Sequence, residues 1–361
     1  MADTLKSIVD LSKFTFTAEQ IRDINELVFD EVLHAPDLNL IHTLHPGIVY
    51  DREIGFITGG GLVGKKAQGC DPTPHDFAIG TRKVTWQPKP WEVFIDECAE
   101  DLMNTAAVYA LNKGTRVDDL TDTDYMAIVV KVLMDAVRDF MYRIVWFGDT
   151  DAANYDKTNA PNGIITPGLD VDYFNLLDGF FKQLQTAVTA SPELLVSIAA
   201  NGKTTKTEQM AGMDADAAFE LLQSMYFKAP LELRSSGAMQ FIVTQSVTDG
   251  YQKYLIGKGI ESTYTNLVKG VRSLEFLGVK VIALPIWDKM IQAYNDLGTT
   301  YYKPHRALLI EKENLAIGTP SEEAYGTADV WYDKTSRKNY VLLKDKIDAK
   351  LLNDKRFVYA Q

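Results

Sequence analysis

The sequence predicts an α+β protein, and three observations carry this prediction. A single helical pattern runs from Asp122 to Phe147 and stops at Gly148-Asp149. A glycine-rich segment, 58–82, precedes it. From Ala238 onwards, short apolar runs alternate with helical patterns, and these runs have the length and composition of strands. Long helices and separate short strands in one chain favour mixed helices and sheets over an all-helical bundle.

The helix at 122–147 is the strongest local signal. Thr121-Asp122-Thr123-Asp124 offers capping oxygens and negative charge at its start. At about 1.5 Å per residue it would be roughly 39 Å long. Lys131, Asp135, Arg138, Asp139 and Arg143 interrupt it, so it is not a membrane span. Its apolar residues recur at i, i+3 and i+4, which predicts one buried stripe: Tyr125, Ile128, Val129, Val132, Leu133, Ala136, Val137, Phe140, Met141, Ile144 and Val145.

Bulk properties narrow the class of protein. The 361 residues suffice for two or three domains, and 46% hydrophobic with 24% charged residues is an ordinary globular composition. A formal net charge of −12, without a basic block, argues against a dedicated nucleic-acid surface. We find no signal peptide at Met1–Lys6 and no apolar run of membrane-spanning length. Cys70 and Cys98 are most simply reduced thiols.

The first third of the chain divides at prolines and glycines. Thr17-Ala18-Glu19-Gln20 resembles a capping box, which predicts a helix to about Leu33. We expect a strand over 48–57, then a long loop or mobile hairpin, because Pro72, Pro74 and six glycines fall in 58–82. A strand is predicted at 83–90 and a helix at about 91–111. The glycines are Gly59, Gly60, Gly61, Gly64, Gly69 and Gly80.

The remaining two thirds of the sequence predict one domain of a sheet and helices in the middle of the chain. The strands that follow it are predicted to join the long helix in a second domain. We expect helices over 170–190, 214–227 and 246–255, and an exposed polar stretch over 201–212. Strands are predicted at 239–244, 279–285, 307–310, 314–319, 328–332, 339–343 and 356–360.

Gly59–Lys66 has the glycine-to-Gly-Lys spacing of a phosphate-binding loop. The position that should be Ser or Thr is Lys66, so the magnesium-binding hydroxyl is missing. The residues that follow are a poor start for a helix, whose N-terminus such a site requires. A flexible glycine loop is the simpler interpretation, and a nucleotide-binding enzyme using Gly59–Lys66 remains the alternative.

Other groups of residues that could bind a metal or catalyse a reaction are incomplete. His34, His42 and His45 could ligate zinc, but Pro46 breaks the local helix and no hydrolase pattern accompanies them. Cys70 and His75 share a proline-rich loop that would hold neither rigidly. We therefore predict a protein that is not an enzyme, with no catalytic, cofactor-binding or metal-binding residues. The many aromatic residues fit either core packing or protein interfaces.

The order of these elements resembles the major capsid proteins of tailed double-stranded DNA phages, the Hong Kong 97-like fold. That family has an N-terminal arm, an extended loop, a long spine helix ending near a Gly-Asp turn, and an axial domain. The last strands return to the peripheral domain that carries the spine. The resemblance covers nearly the whole chain and lies in element order more than in a strict motif.

The resemblance implies an arm at 1–56, an extended loop at 57–89 and a peripheral domain at 90–164 with its spine at 122–147. It implies an axial domain at 165–319 and return strands at 320–361. The spine turn would be Gly148 and Asp149. Loop and hinge positions between subunits would be Gly59, Gly60, Gly61, Gly64, Lys65 and Lys66. Some relatives crosslink a loop lysine to an asparagine of a neighbour, a role open to Lys65 or Lys66 with Asn353.

The function implied is self-assembly into hexamers and pentamers of an icosahedral head in the virion, built in the host cytoplasm. The implied partners are copies of the chain, portal and scaffolding proteins and a decoration protein. Double-stranded DNA would be enclosed without sequence-specific contact, and no membrane or cofactor is implied. An encapsulin-type nanocompartment shell is the alternative within the same fold, and the 56-residue arm favours the phage head.

Overall fold

The computed structural model describes residues 34–60, 66, 78–98, 124–156, 164–211, 213–260, 265–268, 271–321 and 329–361. The helix expected at 17–33 lies outside these residues. The described helices are α1 Asp124–Phe147, α2 Phe180–Ala190, α3 Lys206–Ala211, α4 Ala215–Lys228, α5 Leu231–Ser235, α6 Gln245–Gly257 and α7 Pro285–Tyr294. None of them is long and apolar enough to cross a bilayer.

The strands form two larger sheets and two strand pairs. Their bounds are β1 Thr43–His45, β2 Arg52–Gly60, β3 Ala78–Trp86, β4 Lys89–Cys98, β5 Ala153–Asn154, β6 Ile164–Ile165, β7 Leu195–Val196 and β8 Met239–Val243. The later strands are β9 Thr265–Val268, β10 Val271–Phe276, β11 Val279–Ala283, β12 Ala307–Glu311, β13 Leu315–Gly318, β14 Asp329–Asp333, β15 Lys338–Leu351 and β16 Phe357–Ala360.

A seven-stranded sheet, in the order β7-β16-β12-β8-β11-β10-β9, is covered on both faces. Side chains alternate along each strand, so Phe241 and Val243 pack with helices α4 and α6 in one core cluster. Ile242 points to the other face, where Trp287 of α7 and Trp146 of α1 lie in a second cluster. The central strands carry runs of buried apolar residues, Phe241–Val243, Val281–Ala283 and Ala307–Ile310, because both faces exclude water there.

A second sheet joins β1, β13, β15 and β14, and β4 also pairs with β15. Strand β15 is its longest member: Lys338–Ile347 pair antiparallel with β4, and Asp348–Leu351 pair with β13. Val341, Leu343 and Ile347 turn inwards and share one continuous core cluster with α1 and α2. That shared core couples the long helix to both sheets.

The helix expected at 91–111 is wrong over its described part, because Lys89–Cys98 is the strand β4. Trp91, Val93 and Ile95 lie on the inner side, whereas Glu92, Phe94 and Asp96 are exposed. Ten residues of β4 pair with β15, whose partner segment is far away in sequence. Cys98 therefore belongs to a strand and not to an amphipathic helix.

Three further boundaries differ from expectation. The strand expected at 48–57 is β2, which begins at Arg52 and continues to Gly60. The stretch 201–212, expected to be exposed and polar, contains helix α3 with Gln209 buried. The return strands expected at 320–361 are divided: β14 and β15 join the sheet beside α1, but β16 pairs with β12 and β7 in the seven-stranded sheet.

Candidate functional site

The long helix ends where a second helix crosses it at close range. Helix α1 stops at Phe147, and Gly148 N–H donates to the Ile144 carbonyl at 3.0 Å. A Cβ on Gly148 would stand 2.4 Å from Ile144 O and 2.6 Å from Leu177 O. Gly179, the N-cap of α2, is also crowded, with Val145 O at 2.8 Å from its Cβ position. The two glycines therefore permit the close approach of the helix ends.

Asp149 holds this junction through charge. Its Oδ1 lies 2.6 Å from Lys182 Nζ, and Asp151 Oδ2 lies 2.8 Å from the same nitrogen. Burial alone would lower the pKa of Lys182, but the hydrogen bonds that Lys182 donates to Asp149 and Asp151 outweigh it and raise the pKa above the usual value. The negative end of α1 and the positive end of α2 also meet here, which favours the crossing. The sequence pointed to Gly148 and Asp149 but not to Gly179.

Strands β2 and β3 form an antiparallel ribbon that pairs with no other described strand. Gly59 and Gly60 are its last β2 residues, opposite Ile79 and Ala78. Lys66 is exposed. Gly61, Gly64 and Lys65 lie outside the described residues, as do Cys70 and His75, so their expected roles stay predictions.

The base of this ribbon is fastened to the five-stranded sheet. Trp86 is fully buried, and its ring carbons Cε3 and Cζ3 lie 2.8 and 3.0 Å from the Cβ position of Gly318. The Arg82 guanidinium donates to the Leu352 carbonyl. Further out, Ile57 and Ile79 are 78% and 59% exposed. The ribbon is therefore held at one end and offers apolar side chains to solvent along its length.

An exposed aromatic surface lies on the outer side of the β4–β15–β14 strands. Phe94 stacks on Tyr340 with ring centroids 5.3 Å apart and planes 2° apart. Trp331 stacks on Tyr340 at 5.5 Å and on Phe94 at 6.2 Å. Phe94 is 58% exposed and Trp331 38%. Aromatic residues gathered on a surface are typical of protein interfaces.

The histidines expected as possible zinc ligands have separate surroundings. His34 Nδ1 lies 3.1 Å from Asp139 Oδ2. His42 is fully buried, donates from Nδ1 to the Leu38 carbonyl at 2.7 Å, and stacks on Phe180. Burial lowers the pKa of His42 to about 3. His45 packs against Trp86. Among the described residues, no three His, Cys, Asp or Glu side chains form a group that could hold a metal ion.

Sequence reasoning missed a buried serine–histidine contact. Ser246 Oγ lies 2.7 Å from His305 Nδ1, and His305 Nε2 lies 2.9 Å from the Gln209 carbonyl. A carbonyl only accepts, so Nε2 carries the proton and Ser246 donates to Nδ1. His305 is fully buried, and neither residue lines a described cavity. This geometry ties α3, α6 and β12 together, which is a structural use of the pair.

Comparison with known proteins now defines the fold. No protein-family model matches the chain, and no curated protein matches it. Among solved structures, the capsid of Myoviridae phage XM1 matches 96% of this chain and 99% of its own, at 9% identity and a TM-score of 0.50. The satellite phage P4 procapsid including its size determination protein matches 88% of this chain and 92% of its own, at 11% identity and a TM-score of 0.46. The holo encapsulin complex from Synechococcus elongatus matches 92% of both chains, at 10% identity and a TM-score of 0.47.

The chain has the Hong Kong 97-like fold of phage major capsid proteins, as its element order predicted. Mixed helices and sheets are confirmed as its structural class. At 9% identity the likeness to the XM1 capsid shows the fold and no more. What the chain does with that fold is therefore argued from its own surfaces below.

Proposed function

We propose that this protein is a major capsid protein that assembles into the icosahedral shell of a tailed phage. The observation that carries the proposal is the likeness to the phage XM1 capsid, which extends over 96% of this chain and 99% of that one. The likeness involves nearly the full length of both chains and is not confined to one part of the fold. The assembling unit is accordingly proposed to be the chain itself.

The β2–β3 ribbon is the proposed contact between subunits. Its strands hydrogen-bond only with each other among the described strands, and Ile57 and Ile79 remain largely exposed. A two-stranded ribbon is marginally stable by itself. Packing on a neighbouring copy would bury those side chains and support both strands. Gly59, Gly60, Gly61, Gly64, Lys65 and Lys66 would then serve as the loop and hinge positions, since glycine tolerates backbone angles that other residues do not.

The long helix and its turn would be the rigid part of each subunit. Gly148 and Asp149 join α1 to α2, and the core around them reaches both sheets. Movement of the ribbon then need not disturb this core. The surface formed by exposed Phe94 and Trp331 with half-buried Tyr340 offers a second contact area. Several weak contacts on each copy would sum to a stable shell by multivalency.

The remaining parts of the proposal follow from this role. We propose the domain limits 1–56, 57–89, 90–164, 165–319 and 320–361 that the sequence predicted, except that β16, Phe357–Ala360, belongs to the seven-stranded sheet. The chain acts without catalysis or cofactor and builds hexamers and pentamers in the host cytoplasm, with portal, scaffolding and decoration proteins as partners. The net charge of −12 suits a wall that encloses DNA without adhering to it.

The first test is negative-stain electron microscopy with light scattering on the purified chain, alone and co-expressed with its neighbouring genes' products. Closed shells, or five- and six-fold rings, are the expected result. A monomer or dimer that persists at every concentration and with every co-expressed protein would overturn the proposal. Shells that hold protein cargo and exclude DNA would assign the chain to the encapsulin-type alternative.

A substitution on the ribbon tests the contact itself. Ile57→Asp should abolish shells while leaving the thermal midpoint of the unassembled subunit unchanged, because Ile57 is 78% exposed there. Ile57→Val is the matched control and should assemble normally. Full assembly of Ile57→Asp would remove the ribbon from the proposed interface without disproving the capsid role.

A further inference from the structure

A cavity of about 390 Å³ lies where α1, α2 and the end of β16 meet. Trp146 and Phe147 of α1, Phe181 of α2 and Tyr294 of α7 form its apolar wall. Its polar lining includes Lys182, Lys303, Arg306 and Tyr359. This volume falls in the range of cavities that bind small molecules, which typically combine an apolar wall with a few convergent polar groups.

Arg306 is buried in this wall without a counter-charge. It is only 4% exposed, and its guanidinium lies over the Phe181 ring at 4.3 Å. Nε donates to the Lys303 carbonyl at 3.0 Å, and Nη2 donates to Asn295 Oδ1 and to the Tyr302 carbonyl. None of these acceptors is charged, and within the described residues Nη1 has no acceptor at all. Burying a cation without an anionic partner costs free energy, and Arg306 has no such partner in the described part of this site.

Two groups beside Arg306, Lys303 and Tyr359, also have no anionic partner among the described residues. Lys303 carries a backbone φ of +50°, a conformation rare for lysine. Its Nζ donates to the neutral Gln185 Oε1 at 3.3 Å and lies 5.1 Å from the centroid of the Tyr302 ring. Burial, and then the positive charge of Arg306, lowers the pKa of Lys303 to about 8. Tyr359 is 2% exposed and also lines the cavity. Burial raises the pKa of Tyr359 to about 12, so it is a neutral donor.

The other charges facing the cavity do not supply the missing anion. Asp149 and Asp151 also line it, but both are paired with Lys182 at 2.6 and 2.8 Å. Two carboxylates against Lys182, Lys303 and Arg306 leave one excess positive charge. Within the described residues, the ion pairs of these two carboxylates are with Lys182 and not with Lys303 or Arg306. The excess charge therefore lies at the Lys303–Arg306 end.

We propose that this cavity binds a small oxyanion, a phosphate or a carboxylate, held by Arg306, Lys303 and the Tyr359 hydroxyl. Guanidinium and ammonium groups form strong charge-assisted hydrogen bonds with such oxygens. The bound oxyanion would connect the 302–306 loop with the last strand, β16, and so would stabilise the junction of the long helix with the seven-stranded sheet. This inference does not depend on shell formation.

Calorimetric titration of the purified full chain with inorganic phosphate, and separately with acetate, tests the proposal and distinguishes the two oxyanions. Sodium chloride at matched ionic strength corrects for screening. Saturable binding and a thermal midpoint that rises with the logarithm of phosphate or acetate concentration are expected. Lys303→Gln should weaken the binding about tenfold or more, since a charged hydrogen-bond donor is lost. Tyr359→Phe should also weaken it.

Lys253→Gln is the matched control, because Lys253 is an exposed lysine away from the cavity, and it should bind as the wild type does. Sulfate keeps its charge over the alkaline range, so its binding should fall as pH rises through about 8 in the wild type and lose that dependence in Lys303→Gln. Absence of saturable binding by phosphate, acetate and sulfate, or equal binding by Lys303→Gln and wild type, would show that the cavity holds water only. A chain that binds the oxyanion but never forms shells would separate this inference from the proposed function.

Discussion

The carbonyl oxygen of Leu177 lies 2.6 Å from the point where Gly148 would carry a Cβ atom. Ile144 O is closer still, at 2.4 Å, so the close approach involves main-chain atoms of both sides. No side chain can rotate away to make room. The crossing of the long helix with the segment before α2 therefore requires glycine at position 148, as it also does at position 179.

We expect Gly148→Ala to lower the free energy of unfolding by at least about 2 kcal/mol, because overpacking against fixed backbone atoms is costly. Denaturant titration of the unassembled subunit measures the change. Gly55→Ala is the matched control, since a Cβ there meets nothing within 4 Å and the residue lies in a strand. It should be neutral or raise stability by up to about 1 kcal/mol. Equal effects of the two substitutions would contradict the account of the crossing.

Gly318 and Trp86 should behave as a coupled pair. Gly318→Ala would place a methyl group 2.8 Å from Trp86 Cε3 and displace the indole that fastens the ribbon. Trp86→Phe removes part of that ring, so the double variant should lose less stability than the two single losses add up to. A coupling of about 1 kcal/mol is expected for side chains in direct contact. Strict additivity of the three measured free energies would show that the two residues do not press on one another.

Asp288 should make the subunit less stable as pH rises from about 4 to about 7. Burial raises the pKa of this carboxyl to about 7, although its Oδ2 accepts a 2.7 Å hydrogen bond from Gln245 N–H. Between pH 3.8 and 7 the folded state binds more protons than the unfolded state, so stability falls across that window. The side chain is only partly shielded from solvent, so the effect is roughly 2 to 4 kcal/mol.

The measurement is unfolding of Asp288→Asn beside wild type at several pH values. Asparagine keeps the acceptor for Gln245 N–H and loses the titration, so the stability difference should move in favour of the variant up to about pH 7 and stay constant above it. A constant difference across the whole range would show that Asp288 titrates as an ordinary carboxyl.

His42 should act in the opposite direction, on the acid side. Burial lowers its pKa from 6.5 to about 3, so below pH 6.5 the unfolded state binds the extra proton and the folded state loses stability. By pH 5 the loss should be about 2 kcal/mol. His42→Phe keeps a ring for the stack on Phe180 and cannot be protonated. The variant should therefore have a lower free energy of unfolding than the wild type at neutral pH but lose less of it as pH falls. A parallel loss in both proteins would exclude His42 as the cause.

The sequence predicted the long helix well because its own periodicity decides it. The i, i+3, i+4 stripe persists for seven turns, and Gly148 stops it without help from distant residues. Helix α1 accordingly ends at Phe147, as expected. The same is true of the short strands β8, β11 and β12, since each contains three or four consecutive apolar residues that are buried.

Strand β4 shows where local patterns fail. Trp91, Phe94, Ile95 and Cys98 satisfy the helical spacing i, i+3, i+4 and i+7, while Trp91, Val93 and Ile95 also satisfy a period of two. The strand forms because Lys338–Ile347, near the other end of the chain, pairs with ten residues of β4. Tertiary pairing of this kind overrides propensity.

Local sequence patterns could not predict the cavity, for a similar reason. Lys182, Arg306 and Tyr359 are separated by more than a hundred residues at their widest, and each is unremarkable in its own segment. Only the crossing of α1 with α2, and the insertion of β16 beside β12, bring them to one wall. The Gly148-Asp149 turn was visible in the sequence, whereas the charges gathered around it were not.

The position of β16 also sets an order of events during synthesis. It lies between β7 and β12, yet it emerges from the ribosome only after residue 356 has been made. Until then the edge of β12 has no partner on that side, and an open strand edge is a template for unwanted pairing. The nascent chain therefore cannot close its seven-stranded sheet until β16 has been made.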